Sequence, residues 1–71
     1  MHVFLKALED HDMSTSELME HMGLKHRAFF RENYLHPALE QGYIQRTIPD
    51  KPSSRRQKYR LTDKGRRLLS E

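Results

Sequence analysis

One segment determines the order of elements in this chain, and it reads Tyr43-Ile-Gln-Arg-Thr-Ile-Pro-Asp-Lys-Pro-Ser-Ser-Arg-Arg-Gln-Lys-Tyr-Arg-Leu-Thr-Asp-Lys-Gly65. Apolar and polar residues alternate over 43–48 and again over 57–61, which predicts two short antiparallel strands. The loop between them, residues 49–56, exceeds the length of about two to five residues that is usual for a hairpin. Its two prolines reduce the number of conformations available to the unfolded loop. We therefore expect a shaped loop of the kind that forms the wing of a winged helix.

Upstream of this hairpin, the spacing of apolar residues predicts three helices. The first covers residues 2–11 and places Phe4 in the core. It has no N-terminal cap of its own, from which we expect a chain that begins abruptly or is cut from a longer protein. The second helix begins with a capping box formed by Ser14 and Glu17 and ends at Gly23.

The third helix begins near His26, and Pro37 is expected to interrupt it with a kink or short break near Leu35. The reason is that proline disfavours helical geometry at the preceding residue and has no N–H to donate. A further helical turn then runs to Gln41, and Thr62 caps a short last helix after the hairpin. The sequence predicts a single domain over residues 1–71 of mainly helical α+β class. The fold that we expect is a winged helix-turn-helix, that is, a three-helix bundle with a C-terminal β-hairpin wing and a short last helix.

Charge is divided unevenly between the two ends of the chain, although the formal net charge is only +3. Residues 1–24 contain one lysine against five acids, net −4, whereas residues 25–71 contain twelve basic residues against five acids, net +7. Grouped basic side chains are typical of proteins that bind a polyanion, most often nucleic acid. The alternative is a solvated basic surface with no partner.

Length and composition exclude several classes of protein. A domain of this size buries only about 60% of its unfolded surface, so a large internal active site is not expected. The sequence has no cysteine, and its longest apolar run is residues 3–5, too short for a membrane span or a signal peptide. We therefore expect a cytoplasmic protein without disulfides and without contact with a membrane.

A basic cluster opens the predicted recognition helix, residues 25–34. In a helix-turn-helix the first residues of this helix meet base edges, and arginine can bond guanine through two hydrogen bonds. The candidate DNA contacts on this helix are Lys25, His26, Arg27 and Arg31. The alternative is that the two arginines only solvate the helix or pair with Glu20 and Glu32.

A second basic cluster lies in the predicted wing, residues 49–58. Its hydroxyl and cationic side chains suit phosphate oxygens, which position a protein on DNA without specifying sequence. The candidates are Lys51, Ser53, Ser54, Arg55, Arg56 and Lys58, with Arg60 extending the basic surface down the second strand. The alternative is a charged edge that only prevents strand-to-strand aggregation.

Neither a metal site nor a catalytic set is predicted. The five histidines form no zinc-binding pattern, and no cysteine is present to complete one. The serines lack a nucleophile elbow, and the glycines lie at the ends of elements instead of in a phosphate-binding loop. We expect a protein that is not an enzyme and needs no cofactor.

Two segments together with the wing carry a resemblance to a known bacterial module. They are Met13-Ser-Thr-Ser-Glu-Leu-Met and Gly23-Leu-Lys-His-Arg-Ala-Phe-Phe-Arg-Glu-Asn-Tyr-Leu-His-Pro-Ala-Leu. Over about residues 13–69 the chain resembles the C-terminal winged helix of Fic-type proteins and of RecG-like regulators with a divergent ATP-binding domain. The resemblance implies a bacterial accessory domain linked to DNA binding or transcription. The catalytic Fic motif and the ATP-binding region are absent from these residues, so neither activity is carried over.

Two functions follow from these features. The first hypothesis is a DNA-binding domain of a bacterial transcriptional regulator, with the helix 25–34 in the major groove of double-stranded DNA and the wing 49–58 on the phosphate backbone. The alternative is a protein-interaction or dimerisation module, with a homodimer included. Such a module would position an upstream Fic-type or ATP-binding partner domain, and fold alone does not decide between the two.

Overall fold

The computed structural model describes all 71 residues and confirms the predicted α+β architecture. The chain is mainly helical, with one two-stranded antiparallel sheet near its C-terminal end. Its elements are, in order, α1 (His2–Ala7), α2 (Thr15–Met22), α3 (Arg27–Phe30), a π-helical turn (Arg31–Leu35), α4 (His36–Glu40), β1 (Ile44–Arg46), β2 (Tyr59–Leu61) and α5 (Asp63–Ser70).

The ends of the helices follow local chemistry. The Ser14 hydroxyl accepts a hydrogen bond from the Glu17 N–H, and the Glu17 carboxylate accepts one from the Ser14 N–H, so the predicted capping box is confirmed. Gly23 ends α2 in the left-handed region with a φ of 71°. Helix α1 is shorter than predicted and ends at Ala7. Glu9 and Asp10 follow its C-cap Leu8, and negative charge is unfavourable at the C-terminus of a helix.

The predicted interruption near Leu35 is confirmed in its position, because the α-helix gives way to a π-helical turn that ends at Leu35, but the backbone does not leave the helix. The backbone stays helical from Arg27 to Glu40 and widens into a π-helical turn at Arg31–Leu35, just before the proline. A proline ring clashes with the carbonyl four residues earlier in an α-helix, here that of Asn33. The wider turn changes where this carbonyl lies, so the helix absorbs the proline without a break.

The hairpin pairs Ile44 with Leu61 and Arg46 with Tyr59. Tyr59 also exchanges two backbone hydrogen bonds, of 2.8 and 3.2 Å, with Met13 on its other side. The segment before α2 therefore flanks β2, and it joins the helical part of the domain to the hairpin.

The core lies between the helices and the hairpin, with an aromatic cluster at its centre. Phe4 and Phe30 are fully buried, and their ring centroids lie 5.6 Å apart in an edge-to-face arrangement. The ring of Tyr34 stacks against Phe30 at 5.9 Å. Helix α1 packs against α2 and α5, while α4 packs against β1. None of the helices has the length and apolar character needed to cross a membrane.

Candidate nucleic-acid interface

A polar groove of about 420 Å³ opens between the start of α2, the third helix and the wing. Most of its lining is polar, and no acidic side chain contributes to it. The lining residues are Ser14, Thr15, Ser16, Arg27, Arg31, Leu35, His36, Leu39, Arg46, Pro52, Ser53, Ser54, Arg55, Gln57 and Tyr59.

Four arginines give this groove its charge. They come from α3, from the π-helical turn, from β1 and from the wing, and all four are exposed. None of them forms an ion pair, because the two ion pairs of the domain involve Lys58 and Arg60. The guanidinium of Arg27 donates to the Ser16 hydroxyl at 3.2 Å, which orients it along the wall formed by α2.

The third helix, which comprises α3, the π-helical turn and α4, lines the groove with polar side chains because its geometry is irregular. Arg27 and Arg31 are four residues apart and so share one face of a helix. His36 lies five residues after Arg31, which in a regular α-helix would turn it well away from that face. In the π-helical turn the backbone hydrogen bonds join residues five apart, which brings positions five apart closer to the same face of the helix. His36 therefore lines the groove together with Arg31.

The wing is held in shape by one buried amide, that of Gln57, which is only 6% exposed. Its side-chain N–H₂ donates to the carbonyls of Ile48 at 2.6 Å and Lys51 at 3.2 Å, and its oxygen accepts from the Ile48 N–H at 2.9 Å. These bonds close the loop across its base and confirm that the loop is shaped. The bonded residues flank Ser53 and Arg55 in the chain, so these bonds support the wall of the groove that carries them.

The groove brings together five of the predicted contact residues and leaves five outside. Those inside it are Arg27, Arg31, Ser53, Ser54 and Arg55. Those outside it are Lys25, His26, Lys51, Arg56 and Lys58. Lys25 lies beside a different concavity, next to Glu20 and Gly23. Contact of any of the ten with DNA stays a prediction.

Two acidic residues from the first part of the chain pair with basic residues at the second strand and just before it. Asp12 accepts three hydrogen bonds from the Arg60 guanidinium, the shortest 2.8 Å, and these bonds hold the pKa of Asp12 below its usual value and raise that of Arg60. The ammonium of Lys58 lies 3.8 Å from the Glu17 carboxylate. Arg60 therefore does not extend the free basic surface down the strand as expected.

Comparison with known proteins identifies the family. Residues 1–62 match the model of the "Filamentation induced by cAMP protein Fic-like, C-terminal domain". The chain belongs to this family. A crystal structure of a Fic family protein from Desulfovibrio desulfuricans G20 is 46% identical, with a TM-score of 0.82 over 86% of this chain. The match spans only 19% of that protein. A search of curated proteins found no match.

Two lining residues of this Fic-like C-terminal domain, Arg46 and His36, were not among the predicted contacts. The alternation over residues 43–48 places Arg46 on the same side as Ile44, an unusual position for a charged residue on a core-facing strand. That position was the available signal that the strand leaves the core at this point. No comparable signal existed for His36, because the π-helical turn that directs it was not predicted.

The remaining surface of the Fic-like domain carries one exposed phenylalanine, on the third helix. Phe29 is 50% exposed, as the sequence suggested, and its ring lies 6.3 Å from that of Tyr34. Its neighbour Phe30 is fully buried in the core. No group of three or more histidine or acidic side chains is placed to hold a metal ion.

Proposed function

We propose that this Fic-like C-terminal domain binds double-stranded DNA in the cytoplasm and acts by binding instead of catalysis. The observation that carries the proposal is the groove in which arginines of the third helix and of the wing converge with no acid among them. Duplex DNA carries its charge on two phosphate backbones, and arginine suits phosphate because its planar fork donates two parallel hydrogen bonds. In this arrangement the helix 25–34 enters the major groove and the wing 49–58 follows the backbone.

A salt series on a labelled duplex tests this proposal. Each neutralised phosphate contributes about 0.9 to the slope of log affinity against log salt. We expect the double variant Arg55→Ala/Arg56→Ala to lower that slope by up to about 1.8, since two wing cations are removed. Fluorescence anisotropy between low and moderate salt measures it.

The matched control is Arg66→Ala/Arg67→Ala, which removes the same charge from exposed positions of α5, away from the groove. It should change the slope much less than the wing variant. Equal effects of the two variants would show only general attraction between a basic domain and DNA. Absence of duplex binding at low salt would contradict the proposal outright.

A second candidate function is a module that positions a partner domain or a second copy of itself. The specific observation in its favour is that the chain corresponds to only 19% of the Fic family protein that it matches. The exposed ring of Phe29 supplies an apolar contact on the same helix. Aromatic residues are enriched in the cores of protein interfaces.

Self-association through Phe29 would support this second function. Sedimentation equilibrium should then show a dimer that Phe29→Ser weakens at least tenfold, because the substitution removes an anchoring ring from the interface. The control is Val3→Ser, which removes an apolar side chain that is 67% exposed on α1. A strictly monomeric chain that binds duplex DNA would exclude self-association as the main role.

A further inference from the structure

We propose that the groove is a site for consecutive phosphate groups without regard to bases, and that it also binds free inorganic polyphosphate. The DNA part of this inference rests on the proposed function, since the phosphodiester backbone of one DNA strand would be one source of such groups. A free polyphosphate chain would be the other source. The two ligands share the chemistry that the groove recognises, and they would compete for it.

The charge of the groove selects an anion with several charged groups. Arg27, Arg31, Arg46 and Arg55 lie around one concavity, and none of them is paired with an acid. A single phosphate would leave some of these cations crowded together and uncompensated. The volume of about 420 Å³ falls within the range of about 300–1,000 Å³ typical of small-molecule sites, so the concavity has room for more than one phosphate.

The groove lacks an exposed phenylalanine or tyrosine ring on which a base could stack. Proteins that bind single strands stack bases on exposed aromatic rings. Among the phenylalanine and tyrosine residues only Tyr59 reaches the lining, and it is 6% exposed and committed to the core. Phe29 does not line the groove at all. Apart from the arginines, the polar lining of the groove consists of hydroxyls such as those of Thr15 and Ser53, the imidazole of His36 and the amide of Gln57, which is already bonded within the loop. Hydroxyl groups donate readily to phosphate oxygens.

The walls are preorganised, which favours a compact anion. The amide of Gln57 fixes the wing at its base, and the Ser16 hydroxyl orients Arg27. The Ser54 hydroxyl accepts a hydrogen bond from the Arg56 N–H at 3.1 Å and shapes the loop between Ser53 and Arg55. Walls that are already held in place lower the entropy cost of binding.

Calorimetric titration of the full chain with sodium tripolyphosphate at low salt tests this site. We expect saturable binding at one site. Arg46→Ala should weaken it about tenfold, the usual effect of losing one charge-assisted contact. Arg46→Lys, which keeps the charge but loses the fork, should have a smaller effect. The control Arg67→Ala, which removes an exposed arginine of α5 outside the groove, should leave the affinity within about twofold.

Two further experiments distinguish the two sources of phosphate, and they also distinguish this inference from the proposed function. An abasic deoxyribose-phosphate tetramer should bind and show the same loss with Arg46→Ala, and tripolyphosphate should displace a labelled duplex. Tripolyphosphate binding without duplex binding would overturn the proposed function and leave this inference standing. Duplex binding without tripolyphosphate binding would overturn this inference alone. Equal effects of the Arg46→Ala and Arg67→Ala variants would also overturn it.

Discussion

Replacing Gly65 with alanine should destabilise the domain by about 3 kcal/mol, the upper part of the usual range for overpacking a buried site. Gly65 lies in the first turn of α5, is buried, and faces the backbone of Tyr43. A methyl group there would collide with the Tyr43 carbonyl oxygen and would lie 2.9 Å from a methyl carbon of Leu61. The carbonyl cannot easily withdraw, because it accepts a hydrogen bond from the Thr62 N–H at 3.0 Å.

Helix propensity predicts the opposite sign for this substitution, so the experiment separates the two effects. Alanine is favoured over glycine inside a helix by about 0.8–1 kcal/mol. The collision with backbone outweighs this gain, and the melting temperature should fall by roughly 10–20 °C for a domain of this size. Thermal unfolding followed by circular dichroism measures the change.

Gly42→Ala is the matched control for that experiment. Gly42 has a φ of 75°, and a methyl group added there meets no atom within 4 Å. Its cost is therefore only the strain of the left-handed conformation, about 1–2 kcal/mol. A Gly65→Ala variant as stable as the original domain, or less affected than Gly42→Ala, would contradict the close approach of α5 to the hairpin.

Features that depend on neighbours in sequence were predicted well. The capping box of Ser14 and Glu17 and the cap that Thr62 provides to the Gly65 N–H each involve residues three apart. The inward and outward alternation of β2 also follows local pattern, with Tyr59 and Leu61 buried. In these cases the chemistry of a few adjacent residues is enough to specify the structure.

Features that depend on distant residues were not predicted. The arginines of the groove are separated by up to 28 positions in the chain, from Arg27 to Arg55, and only the folded domain shows which of the basic residues meet. The pairing of Asp12 with Arg60 likewise joins residues 48 positions apart. The role of Gly65 was also missed, because its need for space arises from the backbone of Tyr43 and not from its own conformation.

The uneven charge along the chain has a structural explanation that the sequence alone did not give. Two acids of the first part pair with basic residues at β2 and just before it: Asp12 binds Arg60, and Glu17 lies near Lys58. The acids therefore help to hold the hairpin on the helices and lower the positive charge on its second strand. The four arginines of the groove have no such partners, so the groove between the third helix and the wing keeps its positive charge.

Truncating a side chain of the aromatic cluster should lower the stability of the domain more than any other single side-chain truncation. Phe30→Ala is expected to destabilise the domain by about 3–5 kcal/mol, because truncation of a buried phenylalanine loses its burial and leaves a cavity. Phe30 is fully buried between the rings of Phe4 and Tyr34. A domain of this length is stable by roughly 4–10 kcal/mol, so the variant would lose a large share of its stability.

The neighbouring residue provides the control for this prediction. Phe29 has the same side chain on the same helix but is 50% exposed, so Phe29→Ala should cost less than about 1.5 kcal/mol. Urea denaturation of both variants measures the difference, provided that the slope of free energy against urea stays constant. Similar losses for the two variants would show that the third helix is not oriented as described. The π-helical turn that follows Phe30 would then not direct Arg31 and His36 into the groove, and the site itself would be in question.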